Sequence, residues 1–373
     1  MNRQSWQPKA SALQNRTDYF VFIGTYTGGA GGGIHVCRFS AQGPELDLVG
    51  LAAEAINPSF LCVHPSGRFL YAVSEVSRHM GQPAGLVMAY AIDLKAGALA
   101  FLNQVLSRGA GPCHISTDRT GRTALVSNYA GGSVASIRIL EDGSLGSSMS
   151  VLRFSDLCRN GQPGQKSHAH GAFVSGDNRF VVVPDLGLNR LWVYRLESSK
   201  GTLEPAEISK SDLEPGAGPR HFAFHPTGHY GYAICETDST VRAFHFDRVR
   251  GSLRQFDSVS ILPPGYLGSN IAAEIQIDRG GRYLYATNRG ADSIAVLAIR
   301  EEGRLELVEN VGSGGKTPRH FSIDPTDSYL LAANQDSGNV VLFSRDRAGG
   351  RLEETGRRVA VNKPACIVFV RAE

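Results

Sequence analysis

A chain of 373 residues with 42% hydrophobic and 20% charged residues has ordinary globular composition and is long enough for one large β domain or two smaller ones. The formal net charge is only +3 and no block of five or more Lys/Arg occurs, which argues against a nucleic-acid surface. No apolar run approaches the ~20 residues that a membrane-crossing helix needs, and 43 glycines point to many tight turns between short strands.

In chain order, the opening MNRQSWQPKASALQNRTD is polar and has no apolar h-region, so residues 1–18 read as a flexible lead-in rather than a secretory signal. YFVFIGTY and GIHVCRF then read as two strands. The TGGAGGG between them (Thr27–Gly33) resembles a phosphate loop but lacks the Gly-Lys-Ser/Thr ending, and is expected to be a hairpin turn. From there one unit recurs. NPSFLCVHP, GPCHISTD, HGAFVSGD, GPRHFAFHP, AAEIQIDRG and TPRHFSIDP are each a short strand running into a turn. Each leads to a second strand (FLYAVSEV, TALVSNYA, FVVVPDLG, YGYAICET, YLYATNRG, YLLAANQD) and then a third, such as GLVMAYAI or NVVLFSR. A weaker fourth strand follows Gly-x-Leu turns such as DGSL, KGTL, RGSL and EGRL. KPACIVFV closes the chain as a seventh copy of the first strand.

Equivalent turn positions Gly67, Gly121, Asn178, Gly228, Gly281 and Asp327 recur every 46–57 residues, the size of a four-stranded propeller blade. The first second-strand copy has no first strand before it, and the last first-strand copy has no second strand after it. The ends therefore complete one blade together. The expectation is an all-β, seven-bladed β-propeller with four-stranded blades over residues 19–373, its ring closed by the N-terminal strands and the C-terminal innermost strand. Six scattered cysteines (Cys37, Cys62, Cys113, Cys158, Cys235, Cys366) contain no CxxC pair and are expected as free thiols of a cytoplasmic protein.

In a propeller the first strands ring a central channel, so equivalent positions can be compared around it. One column reads Ser59, Cys113, His170, Arg220, Ala273, Arg319 and Ala365. A second, at the ends of the second strands, is read as Tyr26, Glu75, Asn128, Asp185, Glu236, Arg289 and Gln335, with one residue of slip in the first copy. Polar groups after apolar strands are costly unless paired or facing a wet cavity. Glu75, Asn128 and Asp185 also suit loop caps. His170, Arg220, Glu236 and Arg289 fall in three successive blades, and a base-capable His and Glu between fixed cations suit proton transfer on an anionic substrate. His168 and His170 lie two apart on one strand face, but no third ligand stands at a recognisable spacing, so no metal is expected. The absence of Gly-x-Ser-x-Gly argues against a serine hydrolase. Neither Trp6 nor Trp192 precedes an Asp, which argues against a WD-repeat scaffold.

FIGTYT, GPCHISTDRTGR, SNYAGGSV, VVPDLGLNRLWVYRL, GAGPRHFAFHPTG, AAEIQID, TNRGADSIAV, GKTPRHFSIDP and ANQDSGNV together resemble the lactonase family of seven-bladed propellers over about residues 19–371. That family includes bacterial propeller-type 6-phosphogluconolactonases and fungal 3-carboxy-cis,cis-muconate lactonizing enzymes. The resemblance implies His170, Arg220 and Glu236 as catalytic residues, and Arg289 as a further catalytic or substrate-binding arginine. Arg319 and Gln335 sit in motifs typical of bacterial members, and with Asn128, Asp185 and Glu75 they complete the expected substrate-binding set. His320 stands where Asn or Gly is more usual, and Cys235 where Asn often precedes the glutamate. The expected activity is hydrolysis of a sugar-acid lactone, first 6-phosphoglucono-1,5-lactone, without cofactor or metal. Cycloisomerisation of a carboxylated muconate and a non-catalytic binding scaffold are the alternatives. The expected partner is a small anionic lactone or carboxylate rather than nucleic acid or membrane, and the oligomeric state is left between monomer and dimer. Which of His170 and Glu236 is the base stays open at this point.

Overall fold

The turn that ends each first strand shows why the repeat folds as it does. Gly67, Gly121, Asn178, Gly228, Gly281 and Asp327 all have φ between 63° and 74°, the left-handed region that Gly, Asn and Asp tolerate best. Three of these turns are tied by an aspartate at the strand end. Asp118, Asp278 and Asp324 each accept two backbone N–H bonds through Oδ1, for example from Arg122 at 2.8 Å and Thr123 at 2.9 Å. Where the copy has His before Pro, the imidazole reaches the next blade instead: His64 Nε2 lies 3.0 Å from Gly121 O and His225 Nε2 2.8 Å from Gly281 O.

The computed structural model describes residues 18–27, 32–154 and 166–373. The lead-in up to Thr17, residues 28–31 of the expected TGGAGGG turn, and Cys158 lie outside the described residues. Strands β1 to β28, in chain order, form seven four-stranded antiparallel sheets, the expected seven-bladed propeller. The innermost strands are β4 (Leu61–Val63), β8 (Pro112–Thr117), β12 (Phe173–Val174), β16 (Pro219–Phe224), β20 (Ile271–Ile277), β24 (Pro318–Ile323) and β28 (Pro364–Arg371). The ring closes as the register implied. β28 pairs antiparallel with β1 (Asp18–Thr25), from Tyr19↔Arg371 to Ile23↔Ile367, and β1 pairs with β2 (Gly33–Ser40).

Alternating strand residues fill the spaces between neighbouring blades with apolar side chains. Leu331, Val340 and Leu342 of the last full blade pack against Val21, Cys37 and Ile367 of the split blade, so the closing join is as apolar as the others. Tyr232, Ile234, Leu284 and Leu297 do the same between the blades that begin with β16 and β20. Cys37, Cys62, Cys113, Cys235 and Cys366 are free thiols, and burial pushes Cys62 up to about 11. Among the described residues no helix is long and apolar enough to cross a membrane.

Candidate active site

Pairing register fixes which side chains meet at the channel mouth. Pro112↔Asn128, Pro219↔Cys235 and Pro318↔Asn334 are partners, so Cys113, Arg220 and Arg319 occupy equivalent slots one residue further along their strands. Glu236 follows the end of β17 (Tyr230–Cys235), and Arg289 ends β21 (Tyr283–Arg289). The two arginines converge on one carboxylate: Glu236 Oε2 lies 2.9 Å from Arg220 Nε and 2.8 Å from Arg289 Nη2. Backbone carbonyls of β20 hold both guanidiniums from behind. Arg220 Nη1 donates to Ala273 O at 2.6 Å and Arg289 Nη2 to Ala272 O at 2.9 Å. Arg220 is only 3% exposed. Burial and the charge of Arg220 push Arg289 down to about 9, which leaves it protonated at neutral pH.

His170 is buried in the adjoining sector, its backbone N–H donating to Pro184 O at 3.0 Å. Its ring stands edge-on to Tyr129 and to His221, with centroids 5.3 Å away in each case. Burial, then the charges of Arg220 and Arg319, hold its pKa well below the usual histidine value. The imidazole is therefore neutral at neutral pH, the form that accepts a proton.

A second charged cluster joins the split blade to its neighbours. Arg319 Nη2 donates to the Tyr26 hydroxyl at 2.7 Å, and that hydroxyl donates to Glu75 Oε2 at 2.7 Å. Ser59 Oγ donates to the same carboxylate oxygen at 2.5 Å. The Arg319 guanidinium also lies over the Tyr26 ring, 5.0 Å from its centroid. Burial raises the phenol pKa, so Tyr26 keeps the proton it donates.

The family described as a lactonase, 7-bladed beta-propeller, matches residues 20–369. The chain belongs to the lactonase family. A 6-phosphogluconolactonase of Bacillus subtilis (strain 168) is 36% identical over 355 residues, 95% of this chain and 99% of the relative. A 6-phosphogluconolactonase of Formosa agariphila is 33% identical over 354 residues, 92% and 97% of the two chains. Among solved structures, the periplasmic gluconolactonase of Pseudomonas aeruginosa superposes with a TM-score of 0.87 at 31% identity, covering 96% of this chain and 100% of that one.

Within the lactonase propeller the residues expected from sequence divide into groups. Arg220, Glu236 and Arg289 form one cluster with His170 beside it in the adjoining blade, and Arg319 and Glu75 form another, bridged by Tyr26. Asn128 and Asp185 lie elsewhere, because the column read across the second-strand ends slips by one residue in those two blades. Asn128 shares its register with Cys235 and Asn334, and Asp185 bridges Ala169, one residue before His170. Tyr129 and Leu186 are the residues in step with Glu236. The Asn128 amide ties a loop, donating to Ser107 O at 3.0 Å and Ser133 Oγ at 3.2 Å. The Asp185 carboxylate is consumed by Ser167 Oγ, the N–H groups of His168 and Leu188, and Trp192 Nε1. Both are loop ties. Gln335 donates through its side-chain amide to Asp336 Oδ1 at 3.1 Å and, among the described residues, bonds to neither cluster. His168 stacks on Tyr129, with ring centroids 4.5 Å apart and Nδ1 3.0 Å from Tyr129 O. Sequence reading gave no role to Tyr26, although it stood in the right column. It also gave none to Glu274, an acid inside the apolar AAEIQI strand whose oddity was the available signal.

Proposed function

We propose that the protein hydrolyses a sugar-acid lactone, with 6-phosphoglucono-1,5-lactone as first candidate, through the His170, Arg220, Glu236 and Arg289 sector. The observation that carries this reading is the pair of buried guanidiniums locked on one carboxylate beside a neutral buried imidazole. The names of the full-length relatives support the same substrate class.

The chemistry follows from charge placement. A water attacks the lactone carbonyl carbon while His170 takes its proton, and the oxyanion that forms faces the guanidiniums of Arg220 and Arg289. Their planar forks remain charged throughout, and Glu236 keeps them oriented without substrate-induced rearrangement. The ring C–O bond then breaks, and the imidazolium gives its proton to the departing alkoxide. The cations that keep His170 neutral at rest also make its imidazolium a strong acid, which suits this second transfer. The products are a free hydroxyl and a carboxylic acid, which loses the second proton of the water to solvent and leaves as a carboxylate. The Arg319–Tyr26–Glu75 cluster offers a cation and a phenol to the far end of the substrate, where a phosphate or sugar hydroxyls would sit.

The test is an initial-rate assay of purified protein against 6-phosphoglucono-1,5-lactone, glucono-1,5-lactone and a carboxylated muconate. Hydrolysis of a lactone above its spontaneous rate supports the proposal. Activity on the muconate alone would replace it with cycloisomerisation, and activity on none of them would sink it.

A further inference from the structure

One layer beneath the arginines, the next residue of each innermost segment forms a second ring: Phe60, His114, Gly171, His221, Glu274, His320 and Cys366. It contains the histidine of all three Pro-x-His repeats. Glu274 is buried there, with Oε2 3.0 Å from His221 Nδ1 and 3.5 Å from His320 Nε2. Phe60 packs edge-on against both imidazoles, at centroid distances of 5.8 Å and 5.5 Å. Beyond the layer lies a cavity of about 710 Å³, to whose lining Glu274, His114 and His320 contribute.

With Glu274 ionised, above about pH 8, the hydrogen positions can be deduced. His320 Nδ1 accepts the backbone N–H of Ile367 at 3.3 Å, so its own proton is on Nε2, facing Glu274. Arg220 Nη1, which carries only donors, lies 3.3 Å from His221 Nε2 and 3.4 Å from Nδ1. That guanidinium is nearly equidistant from both nitrogens and does not choose between them, but the ionised Glu274, whose Oε2 lies 3.0 Å from Nδ1, can only accept, which puts the proton on Nδ1. The result is one stack of contacts: Arg220 against the His221 ring, His221 donating to Glu274, and His320 Nε2 3.5 Å from the same carboxylate on the other side.

We propose that Glu274 is a positioning residue for Arg220, fixing its guanidinium through the imidazole of His221. The inference rests on reading Arg220 as the cation that meets the lactone oxyanion. A buried carboxylate is costly, and an apolar residue of similar size would be cheaper for folding alone. The fold does not demand an acid in this ring, because equivalent slots hold Phe60, Gly171 and Cys366. What Glu274 adds is a second anchor below Arg220, opposite Glu236 above it. Small misplacements of a group that stabilises the transition state cost rate steeply.

The groups facing Glu274 are Arg220 and His221 from β16, His320 from β24, His114 from β8, Cys366 from β28 and the Thr287 hydroxyl, which accepts its backbone N–H at 3.0 Å. Burial pushes the Glu274 carboxyl up to about 8, with Arg220 pulling the other way. Its anchoring charge is therefore lost as pH falls through about 8.

Two readouts test the proposal. In kinetics on the lactone, corrected for spontaneous hydrolysis, Glu274→Gln should lower kcat by about 10- to 100-fold with KM nearly unchanged. It should also remove a rise in kcat with pH centred near 8 in the parent. In nitrogen NMR of histidine-labelled protein above pH 8, His221 should be the Nδ1–H tautomer, with signals that titrate near 8 in the parent and not in the variant. An unchanged kcat and pH profile in folded Glu274→Gln, or an Nε2–H tautomer at His221 above pH 8, would overturn it. Should the variant not fold, the tautomer and titration of the parent decide. A parent that hydrolyses no lactone counts against the proposed function, while the tautomer still decides the positioning role.

Discussion

Arg220 is gripped by the Glu236 carboxylate, the Ala273 carbonyl and the His221 ring, so almost none of its orientation is left to the substrate. That preorganisation predicts that Arg220→Ala lowers kcat/KM for the lactone by about 10²–10³-fold. Arg220→Lys should recover little, because a point charge cannot make the same forked contacts. Comparison of kcat/KM for the three proteins on one lactone checks both statements. The buried histidines make a separate prediction about pH. Burial first, with Arg220 adding to it, holds His114 and His320 down to about 3 and His170 and His221 well below 6.5. Each folded-state value lies below the unfolded one, so the unfolded chain takes up protons first as pH drops. Stability should therefore be full above about 6.5 and fall as pH decreases toward about 3. Glu274 has the opposite sign: its raised value favours the fold at low pH, and that contribution is lost as pH rises through about 8. One group opposes four, so thermal melts from pH 6.5 down to pH 4 should show a falling Tm, while between pH 8 and 6.5 only Glu274 acts and the Tm should not fall; a flat Tm below pH 6.5 would contradict the neutral-histidine layer.

At the scale of the element, the same blade-to-blade joint recurs. The ring at the start of one blade's second strand sits beneath the glycine of the next blade's outer turn. Tyr283 underlies Gly350, and the Tyr285 hydroxyl donates to Gly350 O at 2.6 Å. Gly350 has φ of 75°, and a Cβ there would come 2.3 Å from Tyr283 Cδ1. Gly350→Ala combines a left-handed backbone with a clash against a packed ring, and should cost about 2–4 kcal/mol in chemical denaturation. The repeats were legible from sequence because their turns depend on local chemistry, Gly, Asn or Asp at positive φ. The strand ends were less so. Thr-Tyr, Ser-Glu, Asn-Tyr, Asp-Leu, Cys-Glu, Asn-Arg and Asn-Gln place a polar residue at either of two adjacent positions. Strand pairing alone tells which of the two faces the channel, and Asn128 and Asp185 were misplaced for that reason. Tyr26 and Glu274 escaped notice because their roles lie in contacts across blades distant in sequence, Tyr26 with Arg319 and Glu274 with His221 and His320.

For the whole molecule, closure through β28 joins the chain ends into one ring and sets the first sector of the mouth against the last. The Tyr26 N–H donates to Lys363 O at 3.0 Å beside that join, while its hydroxyl serves Arg319 and Glu75. Deleting Pro364–Arg371 would leave β1 as an unpaired edge and open the ring. The truncated protein should lose its single cooperative melt in calorimetry and associate in solution; a melt like that of the intact chain would show that closure is dispensable. The most direct check on the whole account is continuous acid release on adding a sugar-acid lactone, measured for the parent and for His170→Ala and Arg220→Ala. The account predicts rapid release by the parent, and about 10²–10³-fold slower release by each variant despite intact folding. Variants as fast as the parent, or a parent no faster than buffer, would contradict it.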